Sequence, residues 1–317
     1  MIKSKICDII GIKYPIIQGG MAWIADASLA CAVSNAGGLG LISAMNADTK
    51  WLKEEIKKAK DLTDKPFGVN IMLMSPFAAE VAETVINEGV KVVTTGAGNP
   101  SKYIKNWLSA GVIVIPVVPS TAIAKMVERA GASAVIAEGG ESGGHVGDLT
   151  TMTLIPQVCD AVKIPVIAAG GIADGRGVAA CFMLGAEGVQ VGTRFLVATE
   201  CNVHNVYKQK ILKAKDIDTL VTGKRLGHPV RSLKTPFTRD FFSKEYDSTI
   251  TNEELEKLGG GALRLAAVDG DEKNGCFMCG QCAAMVKKEQ SAKEIIDDMM
   301  TETETILSQG AKWIKQQ

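Results

Sequence analysis

Two strand-to-helix junctions place glycines where a phosphate group would need bare backbone amides: Val166-Ile-Ala-Ala-Gly170-Gly171-Ile-Ala-Asp174 and Gly188-Val-Gln-Val-Gly192-Thr193-Arg194. Without a Cβ in the way, N–H groups can close on phosphate oxygens, and the positive end of a short helix dipole adds to the attraction. Glycines serving only as tight turns are the plainer reading, but two such junctions in consecutive units favour a phosphate-bearing ligand. A second signal is His145, one of three histidines, set in Glu138-Gly-Gly-Glu-Ser-Gly-Gly-His145-Val-Gly147. A Gly-rich loop directly after a strand suits a general acid or base overhanging a cavity better than a core histidine on an apolar face. His204, on a helix expected over 202–213, and His228, in Leu226-Gly-His-Pro, lack that context.

Three further patterns carry less. Cys276-Phe-Met-Cys279-Gly-Gln-Cys282 opens like an iron–sulfur run, but the fourth thiolate and the x3-C-P ending are missing, so it reads as a small-residue loop closing on the site. Gly175-Arg-Gly177-Val-Ala-Ala180 fits the loose dinucleotide fingerprint. It begins three residues too late after its strand, and Gly192-Thr193 stands where an acidic residue should end the next one. Lys224, Arg225, Arg231, Lys234 and Arg239 concentrate positive charge in a 16-residue stretch, as a solvated face or as a docking site for an acidic partner or a diphosphate.

The elements that must position these residues repeat from residue 14 to about 197: a β-branched run, a glycine or polar break, then an amphipathic helix. The runs begin at Tyr14, Gly38, Pro66, Lys91, Val112, Ala134, Pro165 and Gly188, eight in all. Nearly continuous apolar strands imply burial on both faces, and eight βα units are the number that closes a (β/α)8 TIM barrel; an open doubly wound sheet is the alternative. Helices are expected over 26–35, 51–61, 76–88, 121–130 and 174–184. The active site then lies at the C-terminal strand ends, which offer Gly20-Met21, Asn70, Thr94-Thr95, Glu138, Gly170-Gly171 and Gly192-Thr193, small groups that leave room for a flat ligand.

After Val197 the rhythm stops, so the chain divides into a barrel over 1–198 and a helical and loop region over 199–317. Its segments Gly259-Gly-Gly261 and 269–275 read as mobile loops lidding the barrel mouth. Ser291-Ala-Lys-Glu294 has capping-box spacing and opens a last helix that packs back on the barrel.

Composition sets outer bounds. In 317 residues, 35 basic side chains balance 35 acidic ones, which argues against a nucleic-acid partner, and 46% apolar residues suffice for a full core. No apolar stretch reaches membrane-spanning length and no secretory leader is seen, so a cytoplasmic home with reduced thiols is expected.

Pro15-Ile-Ile-Gln-Gly-Gly-Met21-Ala, Ser34-Asn-Ala-Gly-Gly-Leu-Gly40, Phe67-Gly-Val-Asn70, the His145 loop, both glycine junctions and Gly280-Gln281 together resemble the FMN-dependent barrel flavoproteins. That family includes nitronate monooxygenases and the enoyl-acyl-carrier-protein reductase II enzymes; the His145 loop and Cys201-Asn-Val-His204-Asn-Val-Tyr-Lys208 look like the reductase branch. The resemblance implies FMN across the mouth, its phosphate on Gly170, Gly171, Gly192 and Thr193, its ring near Gly20, Met21 and Asn70, with Glu138 also in the cofactor site. NADH or NADPH would be the reductant, a trans-2-enoyl thioester on acyl-carrier protein the substrate, and His145 the acid. It further implies Met278, Gly280 and Gln281 at the substrate or lid, a monovalent cation near Cys276–Cys282, and Lys224 and Arg225 toward the carrier protein. Apolar helices beyond the barrel suit a homodimer. Nitronate oxidation with O2 is the second reading and a non-redox phosphate-binding barrel the third; no lysine ends a strand, which disfavours a Schiff-base aldolase.

Overall fold

The computed structural model describes residues 2–44 and 48–313. Eight parallel strands follow the β-branched runs: β1 (Ile16–Gln18), β2 (Gly40–Ser43), β3 (Phe67–Met72), β4 (Val92–Gly96), β5 (Ile113–Val118), β6 (Val135–Glu138), β7 (Val166–Ala169) and β8 (Gly188–Val191). Each pairs with its sequence neighbour, and β8 returns to β1 with Ile16 opposite Val189. The seam between β1 and β2 is closed by a parallel bridge, Ile17 to Leu39, in which Gln18 N donates to Leu39 O and Leu39 N to Ile16 O, both at 2.9 Å. The sheet is therefore a (β/α)8 barrel, as the count of eight units predicts.

Inward-facing Ile17, Leu41, Val92, Ile115, Ile136 and Ile167 fill the barrel, and Ile6 and Ile10 of a short N-terminal helix (Lys5–Ile10) join the same cluster. Outward strand residues meet the helix ring, whose starts are fixed chemically: Asp26, Asp48, Ser120 and Asp174 each accept a hydrogen bond from the first turn of the helix they cap. Helices Ser101–Ser109 and Thr151–Ala161 complete two units of the repeat whose helices the sequence does not delimit. The first lacks a side-chain cap and the second carries Pro156 within it, so both hide the usual start and continuity signals.

The last helix, Ala292–Ser308, forms the expected capping box between Ser291 and Glu294 and packs against helices Gly175–Met183 and Ala27–Asn35. It thus occupies the place of the eighth barrel helix. Gly175 makes this approach feasible, since a Cβ there would lie 2.6 Å from Met299 O and Thr303 N. The dinucleotide-like glycine of the sequence is a helix-packing residue.

Between β8 and that helix, the sequence shows few strand signals, yet Thr219–Thr222 and Val230–Leu233 form an antiparallel hairpin. The hairpin continues onto a third short strand, Gly144–His145, which pairs with Arg231 and Val230. The insertion is thereby stitched to the loop after β6. The segments expected to lid the mouth sit elsewhere: Asp271 accepts from Lys273 N and Asn274 N at 2.9 Å, and nothing from 269–275 reaches the cavity described next. Among the described residues, no helix is long and apolar enough to cross a membrane.

Candidate active site

A cavity of about 520 Å³ opens at the C-terminal ends of the strands, within the range of cofactor and small-molecule sites. Strand ends form its floor, and the loops 143–147, 227–229 and 278–280 cover it. Gly20, Met21, Asn70, Glu138, His145, Gly170, Gly171, Gly192, Thr193, Met278 and Gly280 all reach its wall; Gln281, Lys224 and Arg225 do not.

The two glycine junctions form part of its wall. Gly170 (φ +101°) and Gly171 (φ +74°) hold left-handed backbone that a side chain would strain. The backbone of Gly170, Gly171 and Gly192 borders the cavity with no side chain between it and the interior space. Thr193 Oγ1 accepts from Gly280 N at 2.8 Å, fastening the 278–280 cover to the junction after β8. The Glu141 carboxylate accepts from Thr151 N at 3.0 and 2.9 Å, and the Thr151 hydroxyl lies 3.0 Å from Gly170 O, so the loop after β6 braces the junction after β7. Such a cradle of glycine backbone fits a phosphate.

Elsewhere in the wall, Gly20 backs directly onto Asn70: a Cβ on Gly20 would come within 2.3 Å of Asn70 Cβ and Cγ. Thr94 Oγ1 donates to Asn70 Oδ1 at 2.8 Å, which fixes the carboxamide with its Nδ2 donors available to a ligand. Met21, Met72, Met74, Val117 and Met278 supply an apolar lining.

Glu138 ends β6 facing this interior space, where burial pushes its carboxyl up to about 7, with only the nearby Ser142 hydroxyl opposing. A group whose pKa is raised on folding binds its proton more tightly in the native state. Its stabilising contribution is fully present below the unfolded value near 4.5 and is lost as pH rises through about 7. Glu138→Gln removes that dependence. Thermal melts of parent and variant from about pH 8 to about pH 5 should diverge in the parent's favour by a few degrees; parallel curves would refute the assignment.

His145 is half-buried in the cavity wall, and burial first, then the neighbouring His228, lowers its pKa below the ordinary histidine value. The imidazole rings stand 6.5 Å apart at 82°. His228 lines the cavity although its sequence context gave no sign of it, and Tyr207 and Gln190 are likewise wall residues that the sequence did not single out. The one available signal for His228 was its setting between Gly227 and Pro229, the same kind of loop that marked His145.

The remaining sequence candidates have identifiable structural roles. Gln281 is exposed and contributes its backbone, donating N–H to Glu141 O at 2.9 Å. Arg225 spends its guanidinium on the carbonyls of Asp247 and Ile250 and on Asn252 Oδ1, and Arg231 on Gly140 O and Thr219 Oγ1; Lys224 is exposed. Cys276, Cys279 and Cys282 are buried free thiols whose pKa values are raised chiefly by burial. Among the described residues, no group of three His, Cys, Asp or Glu side chains is arranged to hold a metal ion.

A family model described as nitronate monooxygenase matches residues 3–302. FabK from Thermotoga maritima is 49% identical, superposes with a TM-score of 0.97, and the match covers 99% of this chain and 100% of that one. A Mycobacterium tuberculosis (3aS,4S,5R,7aS)-5-hydroxy-7a-methyl-1-oxo-octahydro-1H-indene-4-carboxyl-CoA dehydrogenase is 33% identical over 99% of both chains. A probable nitronate monooxygenase of Staphylococcus saprophyticus is 33% identical over 97% of this chain and 99% of its own length.

Proposed function

The chain belongs to the nitronate monooxygenase family of oxidoreductases, and on that premise we propose that it is an FMN-dependent enoyl-acyl-carrier-protein reductase. The observation that carries the reading is one cavity whose wall joins the two glycine junctions, a methionine-rich apolar lining and His145. The likeness to FabK, an enoyl-acyl-carrier-protein reductase II, supports it, and the mycobacterial relative named for an acyl-CoA substrate is consistent with thioester chemistry.

Gly170, Gly171, Gly192 and Thr193 would hold the FMN phosphate, and Gly20, Met21, Asn70 and Glu138 its ring. The chemistry FMN supplies when bound is hydride transfer, from NADH or NADPH to the β-carbon of a trans-2-enoyl thioester. Met72, Met74 and Met278 pack the acyl chain and exclude water from the reacting atoms. His145 delivers a proton to the α-carbon of the resulting enolate. Lys224 is the exposed cation for an acidic carrier protein, and a homodimer in the cytoplasm is the expected setting.

The nitronate monooxygenase reading is favoured by the family model and the staphylococcal relatives. Anaerobic titration separates the two. The reductase is bleached by NADH and its yellow colour returns on adding crotonyl thioester; colour that returns only with oxygen, or bleaching by alkyl nitronates without NADH, would sink the reductase reading.

A further inference from the structure

We propose that His228 is a proton relay to His145, carrying protons from solvent into the cavity between turnovers. The inference rests on the reductase reading. His228 is exposed and His145 half-buried, and both line the same cavity. Their backbones are zipped together: His145 is paired with Val230, Val146 N donates to Pro229 O at 3.0 Å, and His228 N donates to Gly223 O at 3.1 Å. The backbone pairing brings the two imidazoles to the same part of the wall with ring centroids 6.5 Å apart, room for one bridging water between them.

Other titratable groups around the pair are committed. Arg231 donates to Gly140 O and Thr219 Oγ1, the Glu141 carboxylate accepts from Thr151, and the Tyr207 hydroxyl donates to Met278 O at 2.6 Å. Burial raises the pKa of Tyr207 and of Cys279, so both retain their protons. Cys282, also in the wall, is likewise held protonated by burial, which leaves Glu138 as the alternative donor among the described lining residues and Glu138→Gln as the control.

His145 gives up its proton once per turnover and must be reloaded before the next, and burial favours its neutral form. In the proposed step, the α-carbon–hydrogen bond forms as an N–H bond of the His145 imidazolium breaks, leaving neutral imidazole. The bridging water then gives His145 a proton and takes one from the His228 imidazolium, which is reloaded by buffer. Hydride transfer is complete before this exchange, and no electrons move in it.

The test uses FMN-loaded enzyme. First, crotonyl thioester must reoxidise the NADH-reduced parent; if it does not, the reductase reading falls and the relay with it. Given that activity, His228→Ala and His228→Gln should keep normal flavin content and NADH reduction. Both should slow thioester-dependent reoxidation about tenfold, less than loss of the acid itself, with a larger solvent deuterium isotope effect. Added imidazole should restore the rate of His228→Ala in proportion to imidazolium concentration. An unchanged rate and isotope effect would overturn the relay, as would a loss confined to KM without imidazole rescue, which marks a binding role. Slowing with Glu138→Gln that matches His228→Ala and responds equally to imidazole would also overturn it.

Discussion

His145→Ala is expected to slow reoxidation of the reduced flavin by an enoyl thioester about 10²–10⁴-fold, while flavin content and reduction by NADH stay near those of the parent. The asymmetry between half-reactions follows from chemistry: the proposed phosphate cradle is backbone and the Thr193 hydroxyl, and His145 is no part of it, so its loss removes a proton donor and leaves that cradle intact. Rapid-mixing measurements of each half-reaction resolve it. The pH profile has a determined sign. A donating imidazolium must be protonated, so the rate falls as pH rises through the His145 pKa, and burial with His228 alongside places that limb below the ordinary histidine value. An unimpaired thioester half-reaction would remove His145 from the chemistry.

The other large effect belongs to Gly20→Ala. The added methyl would sit 2.3 Å from Asn70 Cβ and 2.5 Å from its Nδ2, far inside contact. Asn70 cannot swing away without breaking its 2.8 Å bond from the buried Thr94 hydroxyl, so the methyl or the carboxamide must enter the cavity. Overpacking of this kind costs about 1–3 kcal/mol. Because the displaced atoms lie where a flat ring would rest, the cost should appear as FMN affinity weakened about tenfold to a hundredfold. The ratio of flavin to protein absorbance after purification, with FMN titration of the stripped protein, measures it; melting of the stripped forms shows how much of the loss is stability. A variant as yellow and as tightly loaded as the parent would place the ring elsewhere.

The barrel was legible because its strands obey local rules: Val92-Val-Thr-Thr-Gly96 or Val166-Ile-Ala-Ala169 is apolar throughout and ends at the site, so counting runs amounts to counting strands. The glycine junctions and His145 were legible for the same reason, each lying directly after its strand. His228 was not. It reaches the cavity through a pairing of Val230 with His145 across 85 residues of sequence, in a hairpin whose strands are four residues long and include Arg231. Charge density misled for Arg225, where the side chain's value lies in the carbonyls it satisfies rather than in what it offers a partner. Gly175 shows the converse, a motif-like glycine explained by a helix that begins at Ala292.

The position of that helix bears on how the protein is made. The groove between helices Gly175–Met183 and Ala27–Asn35 is filled by a segment about a hundred residues downstream of β8. At ribosomal rates of roughly 5–20 residues per second, the groove stays open for about 5–20 seconds after the eighth strand has been synthesised. Through that interval the nascent barrel carries an apolar slot shaped for a helix, so chaperone occupancy should peak on chains arrested between β8 and Ala292 and fall once the last helix has emerged from the ribosome.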